Sequence, residues 1–583
     1  MADSYDPEGL ALELFKKRYA IHEDETWNEA MLRVVDHISM AESGEARKKF
    51  KEDSIEILQK NLFMPGGRIL YGAGRANAQL LNCFVVPTED SREGWGKTIS
   101  DMIVISGTGG GLGINCSPIR PRHTLIRGTG GVATGAVSMM EIIDAAGNVI
   151  KDGGGRRSAL MFALELSHGD ILEFLDKKLN LDALTNANVS IIFDENPEDF
   201  FDLVKSNGTF EFKFRGKVIG EIPAKELWMK FIQNSFKSGE PGLLNGYYAN
   251  RMSNIWYYKK LIATNPCAEL WMTENESCCL GSLVLPRFIS GRGIEWDLLK
   301  ETVKRAVRFL DNVITINDYP LKEIEEASKQ TRRIGLGVMG LHDVLLLNNM
   351  RYNSAEGLEF IDKVMKSIKN FAYEASVELA KEKGSFPVFD ADKFIKSKFI
   401  KTLKPTIRKM ILEYGIRNCA LMTIPPTGTT SIVSGVTAGI EPMFAPAYKM
   451  RFIDKDDEWK ERVVVHPLLK KFIKEGKDVS HFQGAYDLSL RDHFEIQRTC
   501  QKHIDNAVSK TLNVMPDATS VEELSEMYME YFPELKGVTI YPDGSRENQP
   551  LTPIPLKDAI KEAKDAIAIP TTIDPCKNGS CDI

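Results

Sequence analysis

One stretch of this sequence, Ala263-Thr264-Asn265-Pro266-Cys267-Ala268-Glu269, sets an amide, a thiol and a carboxylate at alternate positions. Pro266 fixes its own φ and pushes Asn265 away from helical backbone, so the segment is expected to be extended. In an extended chain residues two apart point the same way, and Asn265, Cys267 and Glu269 would share one face. A thiol beside a group that can take a proton is suited to redox or acid–base chemistry. The same residues also suit a polar loop around a buried cysteine. Shortly after comes Cys278-Cys279. Adjacent cysteines can be structural, can bind a metal, or can split so that only one faces a site. Zinc would call for a Cys-x-x-Cys pair or nearby histidines, which this region lacks, so no metal is expected.

Two further groups could act on small molecules. Cys576 and Cys581 are separated by Lys-Asn-Gly-Ser, whose glycine permits a turn tight enough for the sulfurs to meet. A dithiol on a flexible segment can carry reducing equivalents between a buried disulfide and an external donor, although two incidental surface cysteines would look the same. Pro425-Pro426-Thr427-Gly428-Thr429-Thr430-Ser431 offers consecutive hydroxyls and backbone N–H groups at a loop-to-helix junction. That is either a phosphate cradle or a capping turn. Gly96-Lys97-Thr98 resembles the end of a P-loop, but Ser91 stands where its first glycine belongs. The glycine run at 107–113 holds no clean GxGxxG and excludes a dinucleotide fingerprint. Gly109 and Gly110 fit instead a loop where backbone closely approaches a ligand.

The elements that must position these groups read as α/β. Residues 1–60 are helical in character and charged, with no glycine between Gly9 and Gly44. Beyond Met64, short apolar runs alternate with glycine turns and helical stretches, as in mixed α/β domains. Ala355–Lys383 carries Phe360, Val364, Ile368 and Phe371 at helical spacing and stops at Gly384. The last organised element ends near Gly544. With 43% hydrophobic and 27% charged residues, the chain excludes wholesale disorder. A net charge of −7 argues against a general nucleic-acid surface. No secretory leader is evident, nor any apolar run near the roughly 20 residues of a membrane span, so a cytoplasmic protein with reduced cysteines is expected.

In sequence order, FMPGGRILYGAG, LLNCFVV, SGTGGGLGINCSPIRP, NPCAE, ESCCLGS, PPTGTTS, YPDGSR and a terminal dithiol run along the chain. Their order resembles ribonucleotide reductase catalytic chains over residues 60–583, and within that superfamily most resembles the class II, adenosylcobalamin-dependent group. The resemblance implies a ten-stranded α/β barrel over 61–545 with a central finger loop carrying Cys267. A small helical N-terminal region (1–60) would precede it without the nucleotide-binding activity module, and a flexible redox-active tail (546–583) would follow. Cys267 would become a thiyl radical and abstract the substrate 3′-hydrogen, with Glu269 as general base and Asn265 bonded to the ribose. Cys83 and Cys278 would supply two electrons by forming a disulfide, which Cys576 and Cys581 would re-reduce. Thr427, Gly428, Thr429, Thr430 and Ser431 would hold the substrate phosphates, and Gly109 and Gly110 would lie in the loop beside the base. A thiyl radical is quenched by stray thiols and oxygen, so a closed, dry cavity around Cys267 is expected.

Cys279 stands where the family commonly has Asn, which leaves open its pairing with Cys83 or a vicinal disulfide. A dNTP or ATP effector site at a dimer interface is expected near Asp90, Gly131 and Gly153–Arg157. Class I chains take their radical from a metal-containing partner through two adjacent tyrosines, whereas Thr539-Ile540-Tyr541-Pro542-Asp543 has one. That favours cobalamin over a class I-type subunit. A non-catalytic thiol- or zinc-binding protein is the remaining alternative. The expected partners are a ribonucleotide, preferably the diphosphate, a thioredoxin- or glutaredoxin-like reductant, and a second copy of the chain.

Overall fold

The computed structural model describes residues 4–568 apart from 77, 151–158, 181, 292, 454–458 and 545–550. Three helices, Leu10–Arg18, Trp27–Ile38 and Gly44–Gln59, open the chain. The second starts at a capping box: Glu29 N donates to Thr26 Oγ1 at 3.2 Å and Thr26 N donates to Glu29 Oε2 at 2.8 Å. Its buried stripe, Trp27, Ala30, Met31, Val34, Val35 and Ile38, follows helical spacing and seats it on the body of the protein.

A seven-stranded sheet lies at the centre. Its spatial order is Thr511–Val514, Gly537–Pro542, Gly242–Asn245, Ala187–Phe193, Leu160–Glu165, Gly111–Asn115, Cys83–Val86. Neighbours run parallel except where Gly537–Pro542 meets Gly242–Asn245. The parallel strands are almost wholly buried and correspondingly apolar, as LMFALE at 160–165 illustrates. A second, three-stranded sheet pairs Leu280–Val284 with Phe63–Pro65 on one side and Gly335–Met339 on the other. Single bridges link the two sheets: Phe84 with Ser277 antiparallel, Leu336 with Met422 parallel, and Ile424 with Val508 parallel. The mixed α/β class read from the glycine-punctuated runs is what the fold displays. Helix Ala355–Lys383 forms as its spacing predicts, capped by Ser354 and ended at Gly384 with φ 78°.

Inside this framework Ala263–Thr264 and Trp271–Met272 form a short antiparallel hairpin. Its tip, 265–270, is not the extended segment the sequence suggested. Ala268 takes left-handed backbone (φ 63°), Ala268 N donates to Asn265 O at 2.9 Å, and Leu270 N donates to Asn265 Oδ1 at 3.0 Å. A buried chain reversal must satisfy its own backbone groups, and the Asn265 side chain does so here.

The C-terminal expectation also needs correction. Organised structure continues past Gly544: Leu551–Ile554 pairs with the strand Ala447–Ile453, and helix Leu556–Ala568 packs beside helix Pro467–Lys474. Ala559 and Ala563, four apart, are buried in a satellite core with Leu469, Phe472 and Phe482, which accounts for a docked helix where a flexible tail was expected. Cys576 and Cys581 lie outside the described residues. No described helix is long and apolar enough to cross a membrane.

Candidate active site

The hairpin tip projects into a cleft of about 830 Å³. Both halves of the fold hold it there. Asn115 Nδ2 donates to Ile262 O at 2.9 Å and Asn188 Nδ2 to Pro266 O at 3.0 Å. Trp271 Nε1 donates to Lys536 O at 2.9 Å, and Thr273 N to Glu276 Oε2 at 2.7 Å. Glu276 in turn pairs with the buried Arg333 at 3.3 Å.

Cys267 and Glu269 both line the cleft, yet their environments differ sharply. Cys267 is exposed, so the sealed pocket expected around it is not what the fold builds; the thiol stands on the wall of an open cleft. The reason is geometric: the hairpin's base is held between strands and its tip, with Cys267, borders the cleft. Glu269 is 2% exposed, and burial pushes its carboxyl up to about 7, with the neighbouring Asn265 side chain opposing the shift. Apart from their approach to one another, Glu269 Oε2 and the Asn265 side-chain nitrogen are buried without a hydrogen-bond partner within the protein. Asn265 does not line the cleft; its main job is to close the turn.

Cys83 and Cys278 meet across a strand pair. Phe84 bridges Ser277, and Cys278 N donates to Cys83 O at 2.9 Å. Directly opposed antiparallel residues have Cα atoms about 4.5–5.5 Å apart, within the span a disulfide tolerates. The Cys83 sulfur also lies beside the tip: a Cβ on Gly111 would stand 3.0 Å from Cys83 Sγ and 3.2 Å from Pro266 Cγ. Burial pushes the Cys278 thiol well up, and the nearby Cys83, Glu269, Cys279 and Cys267 add to that, so Cys278 keeps its hydrogen at neutral pH. Cys279 faces the other way, into the main core, with its Sγ donating to Leu310 O at 3.4 Å. The alternation of a strand therefore separates the vicinal pair and leaves Cys278 as the partner of Cys83.

The opposite wall is the turn 425–430. Thr427 and Gly428 both have left-handed backbone (φ 56° and 46°), and a Cβ at Gly428 would meet nothing within 4 Å. Thr427 to Thr430 line the cleft; Ser431 sits one position behind, its hydroxyl donating to Gly428 O at 2.7 Å. Gly109, Gly110 and Gly111 form another part of the wall. Together these groups can exchange a proton near neutral pH, give up two electrons as a disulfide, and accept an anionic ligand along an open turn.

Asp90 lies elsewhere. It does not line the cleft, and its carboxylate accepts from Arg120 Nε at 2.9 Å and from Arg215 Nη2 at 2.8 Å. The stretch 153–157 is outside the described residues. Among the described residues no cluster of His, Cys, Asp or Glu is arranged to hold a metal ion. The sequence did not disclose that Lys17, Arg18 and Tyr19, from the first helix and its end, reach the cleft beside Arg68, Tyr71 and Asn82. The basic last turn of that helix, Lys16 to Arg18, was the only available signal.

Residues 81–541 match the family described as ribonucleotide reductase, barrel domain. The chain is 34% identical to the vitamin B12-dependent ribonucleoside-diphosphate reductase of Thermoplasma acidophilum, over 90% of this chain and 71% of that protein. It is 32% identical to a Mycobacterium tuberculosis protein of the same name, over 93% of this chain and 78% of the relative. The ribonucleoside-diphosphate reductase subunit alpha of Chlamydia trachomatis is 29% identical over 81% of this chain and 52% of its own length. With the family spanning most of the chain and a paired thiol, a third thiol and a buried carboxyl gathered at one cleft, the protein belongs to the ribonucleotide reductases.

Proposed function

We propose that this chain reduces ribonucleoside diphosphates to their 2′-deoxy forms, with adenosylcobalamin as the radical source. The observation that carries the proposal is the opposition of Cys83 and Cys278 beside a hairpin tip bearing Cys267 and Glu269. Two electrons are needed to remove the 2′-hydroxyl as water, and two opposed thiols yield them by forming one disulfide. In this reading Cys267 takes the 3′-hydrogen atom and Glu269 accepts the 3′-hydroxyl proton through Oε2, the oxygen without a protein partner. Asn265, buried behind the tip, would donate its side-chain N–H to the ribose once substrate is bound. Residues 427–431 hold the phosphates through the open turn at Gly428, with Gly109 and Gly110 beside the base.

The cleft fits a bulky cofactor. Cys267 is exposed on a wall of about 830 Å³ of open space, so a large group can come within reach of its sulfur, as it could not in a sealed pocket. Adenosylcobalamin, when bound, would supply the radical chemistry, and Cys267 would give up its thiol hydrogen atom to it.

The remaining features form one scheme. Successive pairings from Cys83–Val86 through Phe84–Ser277, Leu280–Val284, Gly335–Met339, Met422, Ile424–Val508, Thr511–Val514 and Gly537–Pro542 back to the parallel strands support a ten-stranded barrel around the finger hairpin. Cys576 and Cys581 re-reduce the Cys83–Cys278 disulfide and are themselves reduced by a cytoplasmic thioredoxin- or glutaredoxin-like protein. Asp90, with Arg120 and Arg215, belongs to a nucleotide effector site of a homodimer. Purified protein given CDP, dithiothreitol and adenosylcobalamin should form dCDP, and Cys267→Ser should abolish it. Product that appears only after a metal-containing partner subunit is added would overturn the cobalamin assignment.

A further inference from the structure

Glu269 is held by its main chain as well as by its surroundings. Its carbonyl oxygen accepts two hydrogen bonds, from Ala507 N at 2.9 Å and from Thr423 Oγ1 at 2.6 Å, and the same hydroxyl lies at a longer 3.1 Å from Ala507 O. Thr423 is fully buried, 154 residues away in sequence, between Met422 and Ile424, which bridge to neighbouring strands on either side. Alternation turns Thr423 away from the direction of those two residues, and its hydroxyl reaches the hairpin. The neighbouring strand leaves room for it: a Cβ on Gly335 would stand 2.7 Å from Thr423 Cγ2. Two residues further on, the same segment enters the turn Pro425–Thr430 that forms the opposite wall of the cleft.

We infer that Thr423 is a positioning residue for the reaction, its hydroxyl fixing the Glu269 main chain so that the carboxyl and the turn 425–430 keep a set separation across the cleft. This inference rests on the role proposed for Glu269. The geometry makes the side chain well suited to the task. A threonine at this place fills a space shaped by Gly335 and adds one directed donor, whereas a valine fills the same space without the donor. The Ala507 N–H retains the carbonyl when the hydroxyl is lost, so the hairpin stays folded but gains freedom at Glu269. Other ionisable groups near the hairpin's base, Glu276, Arg333, Asp505 and Lys536, keep their own partners and do not contact the Thr423 hydroxyl.

The test compares Thr423→Val and Thr423→Ser with the unaltered chain, assaying CDP reduction with adenosylcobalamin across pH, alongside thermal unfolding. Thr423→Val should lose roughly tenfold in kcat with KM for CDP little changed, the loss of one directed hydrogen bond. With its main chain held by one bond instead of two, Glu269 gains freedom to approach water, so the acid limb of its pH profile should move toward lower pH. Thr423→Ser, which keeps the donor, should restore both kcat and the profile. Wild-type kcat and pH profile in Thr423→Val would overturn the inference, as would equal impairment in both variants, which marks a packing role. Glu269→Gln separates the two levels. If that variant turns over normally, the base assignment itself fails; if it is inactive while Thr423→Val is unimpaired, only the positioning role fails.

Discussion

Gly113 marks the closest approach between the central sheet and the hairpin, and adding one methyl group there should disable the enzyme while sparing its fold. A Cβ at Gly113 would lie 1.8 Å from the carbonyl oxygen of Thr264 and 2.9 Å from its carbon. Both are backbone atoms of the hairpin strand, so no flexible side chain can swing aside. Non-bonded contacts settle near 3.5 Å, so the strand Gly111–Asn115 and the hairpin must part by about 1.7 Å. Overpacking of this kind costs about 1–3 kcal/mol of stability, which a chain of this size tolerates. Catalysis should suffer far more, because a 1 Å displacement of reacting groups costs on the order of 100-fold in rate. Gly113→Ala should therefore retain cooperative thermal unfolding and lose about two orders of magnitude in kcat for CDP reduction. Gly96→Ala is the matched control: its Cβ would meet nothing within 4 Å, and its activity should be that of the unaltered chain. Gly113→Ala with kcat within a factor of about two of wild type would refute the claim that the hairpin is positioned by this contact.

The ionisation of Glu269 gives a paired prediction. With its carboxyl held near 7, turnover that needs the carboxylate should climb as pH rises through about 7, as measured by kcat/KM profiles. The folded value lies above the usual 4.5, so the folded chain binds this proton more tightly, and stability falls as pH rises from about 4.5 to about 7. Glu269→Gln removes that penalty and should be more stable than the unaltered chain at pH 8 by on the order of 3 kcal/mol, with little difference at pH 4.5; equal denaturant midpoints at both pH values would count against the buried ionisation. For the thiol pair, turnover of one equivalent of substrate without external reductant should consume two titratable thiols in the unaltered chain, counted after unfolding in the presence of a thiol label. Cys278→Ser should consume none, and an undiminished loss of two thiols would move the redox pair elsewhere.

Much of the chemistry was legible because it is local. Pro266, Cys267 and Glu269 fall within four residues, and the turn at 425–431 announces itself by its prolines, glycine and hydroxyls. Cys278 and Cys279 were visible as a pair, but which of them faces Cys83 depends on the strand register set by Phe84 and Ser277. Positions that depend on contacts across the fold left no local mark. Thr423 and Ala507 hold Glu269 from 154 and 238 residues away, and the single bridges at Met422, Ile424 and Val508 are too short to show a strand period. The helix Leu556–Ala568 fell within the segment read as a tail, because the satellite core that holds it draws on Leu346, Met443 and Ala447, far earlier in the chain.

The misread hairpin tip is the most instructive case, because there the departure from regular backbone is what makes the site usable. In an extended segment Cys267 and Glu269 would share a face and comparable exposure. The structure gives them opposite environments, a thiol exposed to the cleft and a carboxyl 2% exposed. The left-handed Ala268 between them rotates the chain enough to do this, a conformation that costs a non-glycine residue about 1 kcal/mol. Glycine there would remove that cost but also widen the conformations open to the tip, and with them the distance between sulfur and carboxyl. Alanine keeps the turn narrow, and the bonds from Asn265, Ala507 and Thr423 offset its strain. A thiol that a bulky cofactor must reach and a carboxyl that must stay dry can thus sit two residues apart only because the backbone between them is forced out of its preferred region.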